Sequence, residues 1–437
     1  MLAVLATASS PVASEASSSA PRLVRDINPG SSSSVPQRFA SIGDKLLFSA
    51  TDGVHGTELW VSDGTTGGTH LVKDINPGGA SSDPYGLNRA GSRVFFRATD
   101  PSHGTELWAS NGTAAGTRLV KDINPGPEGS DPRHGTPSAP NNFIGNVGGR
   151  PYFNASDPVH GYEPWTSNGT AAGTHLVKDI RPGDLASYAS DFTYAHGIAF
   201  FTAADEVYGR TLWRTDGTAG GTRLVSDSHG RPLSLPSYLT NFDGSLFFSA
   251  ADRLWRSDGT AAGTSPVAPS QLNAWKLKKV GNTLFVVAGD HPALWRSDGT
   301  TAGTKLVSDH RGWESYPNHL TGVGDTLFFD LQDAAHGFEL WRSDGTPNGT
   351  ELVRDIRPGS GSSRPDCLTA VDQTLFFKAY NAGLNSDDLW RSDGTAAGTT
   401  RVMRSLYCAD GTLRNVGGTL FFSAFDSRGV ELWKVEP

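Results

Sequence analysis

Several features that are common in proteins are missing from this sequence, and each absence argues against a class of structure or function. The 437 residues contain no apolar run of about 18 residues, so we expect no membrane-spanning segment. Lys and Arg form no basic stripe and the formal net charge is −8, which argues against nucleic acid as a partner. No segment keeps a 3.6-residue apolar period, which predicts few helices. No Gly-x-Ser-x-Gly, His-Glu-x-x-His, phosphate-loop or dinucleotide motif is present.

Glycine, proline and tryptophan organise the chain instead. The 52 Gly and 26 Pro suit a turn-dense β-protein. Nine of the 11 Trp residues recur in nearly the same local sequence, 40 to 57 residues apart. They are Trp60, Trp108, Trp165, Trp213, Trp255, Trp295, Trp341, Trp390 and Trp433. A period of about 46 residues is typical of architectures in which each unit buries its apolar face against its neighbours.

Each repeat contains four short apolar or aromatic segments bounded by Gly, Asp and Asn. In the first complete repeat these are residues 39–42, 46–48, 58–60 and 71–75. Such segments predict β-strands joined by tight turns. Four antiparallel strands in 40–50 residues are typical of one blade of a β-propeller.

The two ends of the chain each carry part of a repeat. Residues 21–30 have the sequence of a fourth strand, and residues 430–437 have the sequence of a third strand. Pairing these segments would close a ring, whereas a solenoid, the alternative, needs no matched ends. We therefore predict one all-β propeller over residues 21–437, with about nine four-stranded blades and the N-terminal strand completing the last blade.

The turn between the third and fourth strands has the sequence Ser-Asp-Gly-Thr-x-x-Gly-Thr, with small variations, in eight copies. Asp accepts hydrogen bonds from the backbone of its own turn, and Gly supplies a positive φ. Eight copies of one turn, six with Asp and two with Asn, favour a structural device over eight active sites.

The repeats resemble those of the bacterial ELWxxDGT repeat family. The motif is complete at residues 58–65 and 339–346. It departs from the family pattern at Pro164, Asn111, Asn168, Arg253 and Ala293. The resemblance covers residues 21–437 and implies an exported, propeller-like array. It implies no catalytic residue.

Residues 1–20 are apolar at first and then rich in Ser. They predict a secretory signal followed by a flexible spacer, and they are set apart from the fold. We expect the protein to be secreted or held at the cell surface.

Cys367 and Cys408 lie 41 residues apart, near the same place in consecutive repeats. They form either a disulfide or a pair of buried thiols.

In a propeller, the connections between strands two and three and between consecutive blades emerge on one face. Here the first of these connections carries Asp-x-x-His-Gly-x-Glu in four copies. The sets are Asp52, His55 and Glu58; Asp100, His103 and Glu106; Asp157, His160 and Glu163; and Asp333, His336 and Glu339. The residue types suit a metal or a proton relay, but the short spacing favours a structural hairpin.

Residues that break the repeat are better functional candidates than residues that make it. Trp275 and Trp313 are the two Trp outside the motif, and both are predicted to precede innermost strands. Glu314 and Tyr316 accompany Trp313, and Tyr238 takes a similar place elsewhere. Exposed aromatic rings beside polar groups suit a sugar or a peptide. The alternative is that these rings pack the mouth of the tunnel.

Four acids are also predicted to precede first strands: Asp83, Asp131, Asp191 and Asp366. They predict either Asp-Pro turns or a Ca²⁺ site, and Ca²⁺ is the one cofactor that the sequence suggests.

The leading hypothesis is a secreted, monomeric, non-enzymatic binding or scaffold protein whose ligand is an extracellular glycan or protein. The alternative is a hydrolase or lyase that acts on a polysaccharide at the tunnel mouth.

Overall fold

The computed structural model describes residues 20–132, 145–267, 272–289, 291, 293–309, 314–408 and 411–437. Across these residues the regular structure is β, and no α-helix is present. The described chain accordingly has no helix long and apolar enough to cross a membrane.

The strands follow one another blade by blade. The N-terminal strand is β1 (Arg22–Arg25). Blade 1 contains β2 (Gln37–Ile42), β3 (Lys45–Thr51), β4 (Thr57–Ser62) and β5 (His70–Lys73). Blade 2 contains β6 (Tyr85–Ala90), β7 (Arg93–Asp100), β8 (Gly104–Ser110) and β9 (Arg118–Lys121). Blade 3 contains β10 (Gly145–Val147), β11 (Arg150–Ala155), β12 (Glu163–Thr166) and β13 (His175–Leu176). Blade 4 contains β14 (Ser190–Ala195), β15 (Ile198–Asp205), β16 (Gly209–Thr215) and β17 (Arg223–Leu224).

The second half of the ring repeats this pattern. Blade 5 contains β18 (Ser237–Phe242), β19 (Ser245–Ala250), β20 (Arg253–Ser257) and β21 (Ser265–Pro266). Blade 6 contains β22 (Ala274–Val280), β23 (Thr283–Ala288), β24 (Leu294–Ser297) and β25 (Lys305–Ser308). Blade 7 contains β26 (Asn318–Val323), β27 (Thr326–Asp333), β28 (Gly337–Ser343) and β29 (Glu351–Arg354). Blade 8 contains β30 (Asp366–Val371), β31 (Thr374–Asn381), β32 (Ser386–Ser392) and β33 (Thr400–Met403). Blade 9 contains β34 (Leu406–Tyr407), β35 (Leu413–Val416), β36 (Thr419–Asp426) and β37 (Gly429–Val435).

Contacts between first strands show how the blades are arranged. The first strand of each blade contacts the first strands of both neighbours, and β35 of blade 9 contacts β2 of blade 1. The first strands therefore surround a central axis, and the fourth strands form the outer rim. The predicted nine-bladed propeller is confirmed.

Blade 9 closes the ring, also as predicted. Strand β1 pairs with β37 in antiparallel register, with Leu23 opposite Trp433. The Ile27 N–H then donates a hydrogen bond of 3.0 Å to Glu431. The innermost strand of this blade is split, because β34 and β35 both pair with β36 on either side of a short insertion.

The apolar core lies between blades. Alternate residues of a strand face opposite sides of its sheet, so Leu47 packs against blade 2 while Phe48 packs against blade 9. Nine such clusters occur, one at each contact between consecutive blades. The motif Trp residues belong to these clusters. No single blade buries its own apolar faces, which is the physical reason for the repeat.

In several blades a basic residue near the end of the fourth strand adds a polar contact between blades that was not predicted from the sequence. The Lys73 ammonium donates a hydrogen bond of 3.2 Å to the Thr117 carbonyl of the next blade. It also lies 5.8 Å from the centre of the Trp108 ring, within cation–π range. Lys121 and Lys178 make the same pair of contacts one and two blades further on.

The Ser-Asp-Gly-Thr turn is a closed hydrogen-bonded unit, as predicted. Asp63 Oδ1 accepts hydrogen bonds from the Thr65 N–H at 2.9 Å and from the Thr65 hydroxyl at 2.7 Å. The hydroxyls of Ser62 and Thr69 join the two ends of the turn at 2.7 Å. Gly64 has a φ of 85°. The same closing hydroxyl pair recurs in all eight copies.

Candidate functional site

The ring has two chemically different faces. The turn face carries the eight Ser-Asp-Gly-Thr turns. The loop face carries the hairpins between second and third strands and the connections between blades. The titratable side chains singled out in the sequence lie on the loop face.

Each Asp-x-x-His-Gly-x-Glu set contains two separate structural units, the Glu and the Asp–His pair. Glu58 is fully buried and accepts hydrogen bonds from the backbone N–H groups of Ile75 and Ser82 at 3.0 and 2.8 Å. It therefore holds the connection to blade 2. Asp52 accepts the His55 N–H at 2.9 Å and lies 2.7 Å from His55 Nδ1, which closes the hairpin.

The other copies keep this division. Glu106, Glu163, Glu339 and Glu431 are likewise buried and hold the connection to the following blade. Burial raises the pKa of Glu163 and of Glu339 to about 7, against the hydrogen bonds that they accept. These contacts support the structural reading of the sets that we favoured from the sequence.

Trp275 lies inside β22, as its second residue, and does not precede the strand as predicted. The reason is local: a register shift between Ala274 and Lys276 extends the pairing past Trp275. The indole is 44% exposed, and its N–H donates a hydrogen bond of 3.2 Å to the Gly289 carbonyl. Trp313 lies outside the described residues.

Tyr316 is placed against Trp275. The centres of the two rings are 5.9 Å apart at an angle of 39°, and the Tyr316 hydroxyl donates to the same Gly289 carbonyl at 3.2 Å. Glu314, from the same loop, accepts a hydrogen bond of 2.9 Å from Gln332. The structure thus brings together two of the predicted residues, Trp275 and Tyr316.

Tyr238 is not part of this group. It is the second residue of β18, in the neighbouring blade, and 43% of it is exposed. Its φ is 57°, a conformation that L-residues rarely adopt. Residues in equivalent places share that conformation, with φ of 49° for His319 and 55° for Cys367. A repeated bulge therefore presents a different side chain on each blade.

His319 was not among the residues predicted from the sequence. Its Nδ1 lies 2.7 Å from Asp330 and its Nε2 lies 3.3 Å from Asp366. The hydrogen bond to Asp330 raises the pKa of His319, although burial of the ring opposes it. Lys378 lies 3.2 Å from the second oxygen of Asp366. Burial opposes ionisation of Asp366, but the Cys367 N–H, Lys378 and His319 together lower the pKa of its carboxyl.

A sequence signal for this cluster existed. Asp330 and Lys378 each follow a Phe-Phe pair in a second strand, where blades 1, 5 and 9 have Ser. This place pairs with the start of the first strand, since Asp330 is opposite Asn318 and Lys378 is opposite Asp366. A charged residue in place of Ser at this position of the second strand therefore identifies a blade with charged groups at its inner end.

A cavity of about 480 Å³ lies beside this cluster, between blades 7, 8 and 9. Its lining includes His319, Asp366, Cys367, Cys408 and Thr412. Cys367 and Cys408 form a disulfide that joins blade 8 to the insertion of blade 9. Of the two alternatives left by the sequence, the structure has the disulfide.

The aromatic and charged groups form one continuous row. Lys276, next to Trp275, donates a hydrogen bond to the side chain of Asn318. The Asn318 amide in turn donates to the Tyr316 carbonyl at 3.1 Å. We call this row the aromatic–polar band; it consists of Trp275, Lys276, Tyr316, Asn318, His319 and Asp366. It runs along the inner ends of blades 6, 7 and 8.

The remaining acids of the predicted ring lie on other blades and have separate partners. Asp131 accepts from Arg97 at 2.5 Å and from the Tyr162 hydroxyl at 3.2 Å, beside a cavity of about 410 Å³. Asp191 accepts from the Thr202 hydroxyl at 3.0 Å. Asp83 lines the same cavity as Asp131, whereas Asp191 is the second residue of β14 and does not precede the strand as predicted. Across the described residues, the three groups that could share a metal ion are Asp366, Cys367 and Cys408.

No family model and no curated protein match this chain. Several solved structures are similar to this chain at low sequence identity. The computationally designed protein Ika8 is 13% identical over 94% of this chain and 99% of its own, with a TM-score of 0.45. BamB from Moraxella catarrhalis is 11% identical over 92% and 94%, with a TM-score of 0.40. A prolyl endopeptidase is 10% identical over 94% of this chain and 55% of its own, with a TM-score of 0.46. The assignment of the fold therefore rests on the strand pairing described above.

Proposed function

We propose that this propeller is an exported, non-enzymatic binding protein of the ELWxxDGT repeat type, and that it holds a glycan on the aromatic–polar band. The observation that carries the proposal is the half-exposed Trp275 ring, fixed by its own hydrogen bond and set against Tyr316. A fixed, exposed aromatic ring offers a sugar a stacking surface without a loss of side-chain entropy on binding.

The groups around the ring pair supply orientation. Asn318 and Gln332 bear amides, while Lys276, Glu314 and Asp366 bear charges. Hydroxyl groups of a sugar can donate to the carboxylates and accept from the amides and the ammonium. An array of this kind recognises a neutral or weakly charged glycan, because charges of both signs are present side by side.

Asp366, the acid of the aromatic–polar band, gives little support to glycoside hydrolysis. That chemistry uses one carboxyl group as a proton donor, which requires a raised pKa. The pKa of Asp366 is lowered instead.

The proposal is tested by a glycan array followed by calorimetry, with and without Ca²⁺. We expect saturable binding that falls at least tenfold in Trp275→Ala and is partly restored in Trp275→Phe, since a smaller ring still stacks. The matched control is Tyr208→Ala, which removes an exposed aromatic residue of the blade 4 hairpin.

Three outcomes contradict the proposal. One is the absence of binding to any glycan, or binding only to a protein partner. Another is equal loss of affinity in Trp275→Ala and Tyr208→Ala. The third is release of reducing ends or unsaturated sugars from a bound polymer that persists in Trp275→Ala, because this would establish an enzyme.

A further inference from the structure

The innermost strands carry a net charge opposite to that of the whole chain. The described innermost strands contain six Lys or Arg against two Asp, a net charge of +4, whereas the chain has 37 against 45 and a net charge of −8. The cations are Arg38, Arg89, Lys276, Lys278, Lys279 and Arg414, and the acids are Asp191 and Asp366. Because these strands surround the axis, positive charge is concentrated at the central tunnel. A channel with low-dielectric walls and an excess of one sign of charge attracts ions of the opposite sign.

Two of these cations lie at the same depth in the tunnel. The register between first and second strands places one residue of each blade at the middle of the wall, and we call these residues the middle tier. They are Ala40, Asn88, Gly145, Thr193, Thr240, Lys278, Thr321, Thr369 and Arg414. Both charged members of the middle tier are cations. The acids of the innermost strands begin their strands, nearer the loop face.

Thr residues of the middle tier bond to the next blade. The Thr193 hydroxyl donates a hydrogen bond of 3.3 Å to the Leu239 carbonyl, and the Thr321 hydroxyl donates one of 3.4 Å to the Leu368 carbonyl. Lys278 is turned the same way, since residues opposite each other in a sheet share a face and its partner Phe285 packs against blade 7. A Lys side chain is too long to repeat the short contact that the Thr hydroxyl makes.

Neither Lys278 nor Arg414 has an acid or a hydrogen-bond acceptor among the residues that the structure describes. Burial lowers the pKa of the Lys278 ammonium and of the Arg414 guanidinium, and no acid opposes it in either case. Arg414 is nevertheless exposed to solvent, as expected of a side chain that is enclosed by the ring but faces its tunnel. An unpaired charge in such surroundings is costly, and an anion that binds to it removes the cost.

The other four cations differ in this respect, because each has a partner. The Lys279 ammonium lies 2.7 Å from Asp243, and Lys276 donates to the side chain of Asn318. Arg89 donates a hydrogen bond of 3.1 Å to the Gly91 carbonyl, and Arg38 lies 4.1 Å from the centre of the Tyr85 ring. The unpaired cations are thus the two of the middle tier.

We propose that the central tunnel binds an anionic ligand with two or more carboxylate, sulfate or phosphate groups, and that Lys278 and Arg414 each hold one of these groups. A guanidinium offers an oxyanion two parallel N–H donors, and an ammonium offers up to three. The two residues come from blades 6 and 9, so a ligand that contacts both spans part of the ring. Neither residue belongs to the aromatic–polar band, and the inference does not depend on glycan binding there.

The test is calorimetry at low ionic strength with citrate, tripolyphosphate and a trimer of galacturonic acid. These probes present carboxylate or phosphate groups at different spacings. We expect at least one probe to bind saturably and to bind more weakly as NaCl is added, because salt screens the attraction. The combined variant Lys278→Thr, Arg414→Thr should weaken binding at least tenfold. Thr occupies the middle tier in four other blades, so these substitutions suit the fold.

The matched control is the combined variant Arg223→Thr, Lys305→Thr. It changes the net charge by the same amount at exposed places on the outer strands β17 and β25, and it should keep the affinity of the parent. Trp275→Ala should keep it as well, which separates the tunnel from the band. Without an anion the tunnel variant should melt no lower than the parent, because it lacks the two unpaired charges. A saturating probe should raise the melting temperature of the parent and leave that of the tunnel variant unchanged.

Four outcomes overturn the proposal. One is the absence of binding by all the probes, and another is an equal loss of affinity in the tunnel variant and the control variant. The third is a tunnel variant that melts well below the parent without an anion, since the two cations would then stabilise the fold through contacts within the chain. The fourth is binding that Trp275→Ala abolishes, because the anion would then lie on the band.

Discussion

On the turn face, eight copies of the Ser-Asp-Gly-Thr turn repeat one set of hydrogen bonds, whereas on the loop face equivalent places carry different side chains. At the bulge that begins the first strand, blades 1, 4, 5, 7 and 8 have residues with φ between 49° and 60°. They are Arg38, Asp191, Tyr238, His319 and Cys367. The backbone is conserved between blades at this place, but the chemistry is not.

This contrast separates scaffold from site. A side chain that recurs with the same contacts in many blades, such as Glu58 or Asp63, stabilises the repeat. A side chain that appears once on a common backbone can be changed without loss of the fold, and it gives the ring its asymmetry. The aromatic–polar band consists of such single occurrences. A ring of similar units thus acquires one distinct region.

Removal of the N-terminal strand should have the largest effect, because it opens the scaffold. A chain without residues 21–30 loses the pairing of β1 with β37 and the contact between Ile27 and Glu431. It also exposes an unpaired strand edge and an apolar cluster that includes Val24. We expect aggregation, or a fall in melting temperature of about 10 °C or more.

The control for this deletion lacks residues 1–19 only and should melt like the parent. Differential scanning fluorimetry and light scattering compare the two chains. Equal melting of the chain without β1 would show that blade 9 is stable with three strands, and that closure by the N-terminus is not needed.

The fold was predictable because nine copies of one pattern reinforce each other. A single segment such as residues 46–48 is too short to distinguish a strand from a helix. An apolar segment at the same place in every repeat, followed by a Trp after Leu or Pro, identifies the blade. Half-repeats at residues 21–30 and 430–437 then fixed the closure, which the pairing of Leu23 with Trp433 confirms.

The site was only partly predictable, because its members come from different repeats. Trp275 was visible as a Trp outside the motif, although its place inside β22 was not. The contact of His319 with Asp330 joins two strands of one blade, and its contact with Asp366 joins two blades. Neither contact follows from spacing, since it depends on the bulge and on the positions of both strands around the axis.

The buried glutamates make stability depend on pH, an effect smaller than that of opening the ring. Glu163 and Glu339 have pKa values of about 7 in the folded protein, against an ordinary value of 4.5. Between these values the folded state binds protons that the unfolded state does not, so stability rises as the pH falls from 7 toward 4.5.

Histidines add to this trend, because hydrogen bonds to Asp52, Asp100 and Asp333 raise the pKa of His55, His103 and His336. Their contribution is complete below pH 6.5 and is lost as the pH rises through their folded-state pKa values.

We therefore expect a melting temperature several degrees higher at pH 5.5 than at pH 8. Glu163→Gln should flatten this dependence while it lowers stability overall, because an amide cannot accept all four hydrogen bonds that Glu163 accepts. Glu206→Gln, at an exposed hairpin, is the control. A melting temperature that rises from pH 5.5 to pH 8, or an unchanged slope in Glu163→Gln, would refute this account.

The smallest expected effect comes from a pair of adjacent glycines on the turn face. A Cβ at Gly68 would lie 2.0 Å from Asp63 Oδ1, the atom that holds the turn closed, whereas a Cβ at Gly67 would meet nothing within 4 Å. Gly68→Ala must therefore displace the Asp63 carboxylate and break its hydrogen bonds to Thr65. We expect a cost of about 1–2 kcal/mol, comparable to the loss of a helix cap, and a melting temperature lower by about 1–3 °C. Gly67→Ala should melt within about 0.5 °C of the parent. Equal melting of the two variants would mean that the internal bonds of a single turn do not stabilise the ring, and that its eightfold recurrence has another cause.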